Sequence, residues 1–238
     1  MSLNSEITAL LKQENCNIVG FADLKCLSEE SRQNFDCGII IALPFTKETM
    51  INNMNGLPQK YNEEHEPMNQ RFKELKNLIA DFLVSKGYDV AVDTPASVIN
   101  HETLRALLPQ KTVATLSGIG WIGKNAMLVT DEAGSAVRLT VVLTNAPLEC
   151  GTPVTKSKCP PNCTMCTDIC LGKAPSGKLW EVGVDRDSFF DAHACRSTAR
   201  ARAKELLGID ASLCGLCVSH CPFTKKGLGY GENNAIRI

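Results

Sequence analysis

Eight of the twelve cysteines lie between Cys159 and Cys221, in two runs. The first is Cys159-x3-Cys163-x2-Cys166-x3-Cys170; the second is Cys195, alone, followed by Cys214-x2-Cys217-x3-Cys221-Pro222. A 4Fe-4S cube takes thiolates converging from different directions, so three come from one tight loop and the fourth from elsewhere. In two-cluster ferredoxins the fourth cysteine of each run ligates the other cluster. That logic expects one cluster on Cys159, Cys163, Cys166 and Cys221, and a second on Cys170, Cys195, Cys214 and Cys217. A zinc ribbon uses two isolated C-x2-C knuckles, whereas both runs here continue to a further cysteine and the second closes with Cys-Pro. Two departures from the ferredoxin pattern stand beside this: CPPNC opens the first run with three intervening residues, and Leu171, not proline, follows Cys170.

Disulfides need an oxidising compartment, and MSLNSEITALLKQ shows no basic segment leading into an apolar one, so reduced thiols and a cytoplasmic location are expected. Cys16, Cys26, Cys37 and Cys150 have no partner at ligand spacing and read as small buried hydrophobes. A two-cluster module needs only part of a 238-residue chain that is 44% hydrophobic, so a second core must lie in the residues before Cys159. A net charge of -1 demands neither nucleic acid nor an anionic surface, and no apolar stretch reaches the roughly 20 residues of a membrane span.

The elements that position the cysteines follow from apolar spacing. Ile7, Leu10 and Leu11 mark one face of an opening helix; NIVGFAD and CGIIIALPF read as strands, the second buried on both faces. From Glu66 to Lys86, Phe72, Leu75, Leu78, Ile79, Phe82 and Leu83 repeat at helical period up to Gly87. DVAVD reads as a short strand and HETLRALL as a helix stopped at Pro109. NAMLVTD and VRLTVVLT, separated by EAGS, read as a hairpin. The expected fold class is α+β: a mixed α/β layer domain over 1–150, then a ferredoxin-like two-cluster 4Fe-4S domain over 151–238.

The stretch GIGWIGKN from Gly118 to Asn125, then a strand, an acidic-Gly-Ser turn, a strand ending LTNAPL and the eight cysteines, resembles the epoxyqueuosine reductase family. The resemblance covers about Val92 to Phe223, with ALPF near Pro44 as a weaker match. That family pairs a cobalamin-binding α/β domain with a two-cluster ferredoxin-like domain and is related in plan to corrinoid reductive dehalogenases. The resemblance implies an iron-sulfur oxidoreductase that passes electrons through two 4Fe-4S clusters to a corrinoid and reduces a small substrate. It implies a low-potential donor of ferredoxin or flavodoxin type. Family members acting on tRNA carry an acid in an Asp-Ser/Thr-x-Pro-Val-Leu-Glu motif, and the stretch around Leu104 to Pro109 holds no aspartate. They also continue into a helical repeat domain, whereas this sequence ends at Ile238, so a short paralogue with tRNA as the less expected partner is the reading. Two alternatives stay open: an electron carrier or redox subunit without corrinoid, whose first domain docks a partner or binds flavin, and a tRNA epoxyqueuosine reductase.

Candidate catalytic residues are Asp93, His101 and Lys124, with Glu102 and Lys111 near the missing acid. A solvated helix face is the plainer account of His101, Glu102 and Lys111, and a surface lysine at a strand entry that of Lys124. Gly118, Gly120 and Gly123 would let backbone approach a flat cofactor, with Lys124 and Asn125 beside it, or would only make the turn. His193 and His220 flank ligand cysteines and would tune potential from outside the ligand set. Arg196, Arg200, Arg202 and Lys204 share one short helix, and Trp121 and Trp180 read as core or cofactor packing.

Overall fold

Residue alternation dictates the central sheet, and the computed structural model, which describes residues 2–231, arranges it as four strands. The order is Ile18–Asp23, Cys37–Pro44, Val137–Thr144, Val90–Ala91. The first two pair antiparallel from Ile18 opposite Ala42 to Asp23 opposite Cys37. Ile39, Ile40, Ile41 and Ala42 are wholly buried, as an internal strand covered on both faces requires. The end of the sequence at Ile238 lies outside the described residues.

The chain divides into two compact units that interleave, where the sequence reading expects a single cut between 150 and 151. The first comprises Met1–Leu43, Glu66–Ile119 and Arg138–Val154. Its helix Leu3–Gln13 starts at Ser2, whose hydroxyl accepts from the Ser5 amide, and buries Ile7 and Leu11. The long helix His65–Ser85 buries Phe72, Leu75, Ile79 and Leu83, spaced at three and four residues, into a cluster with Ile39, Ile41, Val142 and Leu148. It stops where Gly87 takes φ +86° and the Tyr88 amide donates back to the Leu83 carbonyl.

Two expected elements differ. HETLRALL is no helix: Ile99–Asn100 pairs with Arg105–Ala106 as a small hairpin. The Asn100 side chain accepts from the amides of Glu102 and Thr103, and Leu104 sits at φ +53°, so local side-chain bonding outcompetes the helical pattern. The helix begins after the proline instead, at Gln110–Leu116. Nor do NAMLVTD and VRLTVVLT pair with each other. Leu128–Val129 pairs with Trp121–Ile122, while Val137–Thr144 joins the four-stranded sheet. A tight Thr130–Gly134 closure, with amide-to-carbonyl bonds in both directions, ends the short hairpin before the chain turns away.

The second unit comprises Pro44–His65, Gly120–Val137 and Thr155–Ile238, and holds all eight clustered cysteines. Among its described residues, regular structure is sparse apart from Ala192–Leu207, which Asp191 caps through the Ala194 amide and Gly208 ends at φ +69°. No helix among the described residues is long and apolar enough to cross a membrane.

Candidate functional site

Within the second unit several of the clustered cysteines feel one another's charge. The thiol of Cys166 is pushed up to about 11, first by burial and then by the charges of Cys221, Cys159 and Cys163. Burial also raises Cys217 well above the thiol range, followed by Cys195, Cys214, Cys166 and Cys170. Three thiols thus act on Cys166 and four on Cys217, Cys166 among the latter. Such sets are ill suited to being free: desolvation and like charge disfavour the thiolate, and only a bound cation offsets both. Among the described residues no three His, Cys, Asp or Glu side chains group tightly enough for a single metal ion. A four-iron cube is different in kind, holding its thiolates apart on separate corners. The donor set therefore fits two such clusters.

Backbone and side-chain donors converge on the sulfurs. The Ala174 amide donates to Cys170 Sγ at 3.3 Å. Cys221 is raised by burial, an effect countered by donors from the Thr224 and Phe223 amides and the Ser135 hydroxyl. Cys221 also stands at the N-cap of the helix Pro222–Gly227, with proline in the first turn.

Two stretches remote from the cysteines in sequence hold these loops, and neither is legible as part of the cysteine unit from sequence alone. In one, Gly215 turns at φ +67° one residue after Cys214, and a Cβ there would stand 2.9 Å from Asn53 Nδ2 and from the Tyr61 ring. The fully buried Asn53 donates to Ser219 Oγ at 3.3 Å, and Tyr61 stacks with Phe45 and His65. The other is the short hairpin. Trp121, 1% exposed, meets the Phe223 ring edge-on at 5.0 Å, and the Ser135 amide donates to Thr224 Oγ1 at 3.0 Å. Gly134, at φ +57°, packs its bare Cα against the Phe223–Thr224 backbone.

Lys124 is not the surface lysine that a strand entry suggests. It is 3% exposed, and its Nζ donates to the Pro161 carbonyl at 2.8 Å and the Cys163 carbonyl at 2.9 Å, inside the first cysteine loop. Asn125 is as buried, accepting from the Met127 amide and donating to Ser135 Oγ. The three glycines are likewise filled by protein. A Cβ on Gly118 would meet Thr152 O at 2.6 Å, and one on Gly123 Asn125 Oδ1 at 2.8 Å; on Gly120 it would overlap the Val129 carbonyl. At all three glycines the space a Cβ would take is thus occupied by protein, which accounts for them as packing and turn positions.

The remaining candidates lie apart from the thiols. Asp93, His101 and Glu102 are exposed, Asp93 in a bend and the other two in the hairpin turn; Lys111 is half-buried in the helix after Pro109. His193 is exposed, and His220 faces the Leu216 carbonyl with Nδ1 at 3.0 Å. Arg200 pairs with Asp210, while Arg202 has Nε and Nη2 buried without a hydrogen-bond partner. Trp180 gives its carbonyl to the Ser157 amide. Of the other cysteines only Cys16 is a buried hydrophobe. Cys26 and Cys150 are exposed, and burial with the charge and hydrogen bond of Cys37 pushes Cys150 to about 11.

No family model matches the chain. It is similar in sequence to epoxyqueuosine reductases: 35% identical over 136 residues to that of Gloeobacter violaceus, covering 53% of this chain and 39% of the relative. With that of Bacillus subtilis it shares 37% over 111 residues, covering 47% and 25%. The chain spans less than half the length of these relatives. In fold it is similar to a catabolic reductive dehalogenase solved with 3-bromo-4-hydroxybenzoic acid, at TM-score 0.66, 17% identity, and coverage of 93% and 32%. It is also similar to an epoxyqueuosine reductase solved with a modified tRNA-Tyr stem loop, at TM-score 0.57, 20% identity, and coverage of 94% and 65%. The chain is epoxyqueuosine reductase-like in sequence and shares the mixed α and β fold of both proteins.

Proposed function

We propose that this chain is an iron-sulfur oxidoreductase of the epoxyqueuosine reductase-like kind. In this reading Cys159, Cys163, Cys166 and Cys221 hold one 4Fe-4S cluster and Cys170, Cys195, Cys214 and Cys217 the other. The observation that carries it is the pair of thiol neighbourhoods around Cys166 and Cys217, the first taking Cys221 from the second run and the second taking Cys166 and Cys170 from the first. Bound clusters supply one-electron transfer. The chain's own residues bury Cys221, aim amides at sulfur as the Ala174 N–H does, and fix the loops through Asn53, Ser135 and Lys124.

The acceptor is a separate matter. The fold shared with a reductive dehalogenase whose structure suggests B12-dependent dehalogenation favours a corrinoid and a reductive step on a small substrate. The filled glycines at 118, 120 and 123 favour a second reading, an electron carrier or redox subunit without corrinoid, so no step is routed through that cofactor. Action on tRNA epoxyqueuosine is a third, supported by the relatives' names and by the fold shared with an epoxyqueuosine reductase solved with a modified tRNA stem loop.

Anaerobic reconstitution with iron and sulfide should give about eight of each per chain. Stoichiometric zinc, or about four iron, would overturn the two-cluster reading. Adding cobalamin to the reconstituted protein and following its visible bands, then offering epoxyqueuosine-containing tRNA, separates the three acceptors.

A further inference from the structure

Lysine is among the residues least often fully buried unless paired, because an ammonium without a counter-charge loses far more hydration than neutral hydrogen bonds restore. Lys124 is 3% exposed, and two neutral backbone carbonyls, those of Pro161 and Cys163, are its recorded partners. No carboxylate pairs with it among the described residues. An ammonium has three N–H donors, so two are spent on the loop and a third, with the whole charge, is not. Its surroundings say where that charge is directed. Pro161 and Cys163 lie within the run Cys159–Cys163, and a Cβ on the adjoining Gly123 would stand 3.7 Å from Cys159 Sγ.

Resting on the two-cluster reading, we propose that Lys124 is the clamp and counter-charge of the first cluster. Its two carbonyl bonds close the CPPNC loop so that Cys159 and Cys163 face one centre. Its positive charge offsets the net negative charge that four thiolates give a cluster. It is a positioning residue and not a proton donor to substrate. A nearby cation favours the more negative, reduced form, so it also sets the first cluster at a higher potential than the loop alone would.

The test separates clamp from charge. Lys124→Gln keeps amide donors for the carbonyls and removes the charge; Lys124→Met removes both; Lys124→Arg keeps the charge. Each full-length variant is reconstituted anaerobically, assayed for iron and sulfide, and titrated with dithionite, each cluster taking one electron, with EPR reporting the two midpoint potentials. The signal missing from Cys163→Ala identifies the first cluster. We expect Lys124→Met to fall from about eight iron toward about four. Lys124→Gln should shift the first cluster's midpoint to a more negative value and leave the second unmoved, and Lys124→Arg should restore it. Wild-type iron content and unchanged potentials in both Lys124→Gln and Lys124→Met would overturn the proposal.

A measurement on the unaltered protein guards against variants that fail to fold. Lysine acetylation read by mass spectrometry should spare Lys124 in the reconstituted protein and reach it once chelation has removed the iron. Labelling of Lys124 as fast as that of the exposed lysines with iron bound would equally overturn it. Failure of the underlying reading looks different: wild-type protein would then take up no iron at all, whatever stands at position 124.

Discussion

Replacing Gly134 by alanine should unseat the Cys221 turn, and the size of the effect can be worked from the backbone. At φ +57° an L side chain costs about 1–2 kcal/mol in the left-handed region. The added methyl would also stand far inside van der Waals contact with the Thr224 amide and the Phe223 carbonyl carbon, which are main chain and cannot rotate away. Forcing such an overpacked contact apart costs about 1–3 kcal/mol more, for a total of roughly 2–5 kcal/mol. Gly208→Ala is the control: φ is +69° there, but nothing lies within 4 Å of the new Cβ, so only the conformational cost applies. With a urea dependence of about 3 kcal/mol/M, the upper end for that denaturant, a mid-range cost of about 3.5 kcal/mol lowers the midpoint by about 1.2 M, against about 0.5 M for the control. On the proposed assignment, in which Cys221 supplies the crossing ligand of the first cluster, iron should drop from about eight toward about four per chain in Gly134→Ala alone. Equal midpoints and equal iron in the two variants would refute the reasoning.

Two further outcomes are expected. Cys170→Ala or Cys221→Ala should cost reconstituted protein about half of its iron or more, and loosen the second unit as a whole, since cluster ligation is folding free energy; Cys16→Ala and Cys26→Ala should leave iron unchanged. Urea unfolding at several pH values should expose the buried Cys16 thiol, which desolvation pushes up to about 11 from 9.0. The folded state prefers it protonated, so its contribution is fully present below pH 9 and is lost as pH rises from 9 through 11. In Cys16→Ala that part of the alkaline fall should vanish, and an identical pH profile in both proteins would sink the assignment.

What the sequence made legible was what lies close together along it. The cysteine spacing and the three-and-four repeat from Phe72 to Leu83 are local signals, and the helix His65–Ser85 follows from the second almost residue for residue. CGIIIALPF reads as a buried strand because no polar residue interrupts it. HETLRALL misleads since its apolar spacing suits a helix, while one upstream side chain, Asn100, captures two amides and turns the chain at Leu104. The supports of the thiols are illegible for another reason: their partners are distant. Asn53 meets Ser219 across 166 positions, Ser135 meets Thr224 across 89, and Lys124 reaches carbonyls 37 and 39 residues on. A lysine after a glycine at a strand entry has nothing local to mark it as buried.

The same distances explain why GIGWIGKN precedes the cysteines. Each glycine there takes the place that a side chain would need for the hairpin to close, Gly120 on the Val129 carbonyl and Gly123 between Asn125 and Val129 beside Cys159. With the hairpin closed, Trp121 packs on Phe223 and Ser135 bonds Thr224, which seats the turn of Cys221; Lys124 meanwhile ties the loop of Cys163. One short hairpin thereby supports both ends of a single thiol set, whose members Cys159, Cys163 and Cys166 lie 55 or more residues before Cys221. A loop of that length closes at an entropic cost that grows only slowly with its span. What it lacks is a fixed geometry, and the hairpin supplies that from outside the loop. The motif and the cysteine runs occur together because the first is the scaffold of the second, so a substitution such as Gly120→Val should register first in iron content, ahead of any effect on an acceptor.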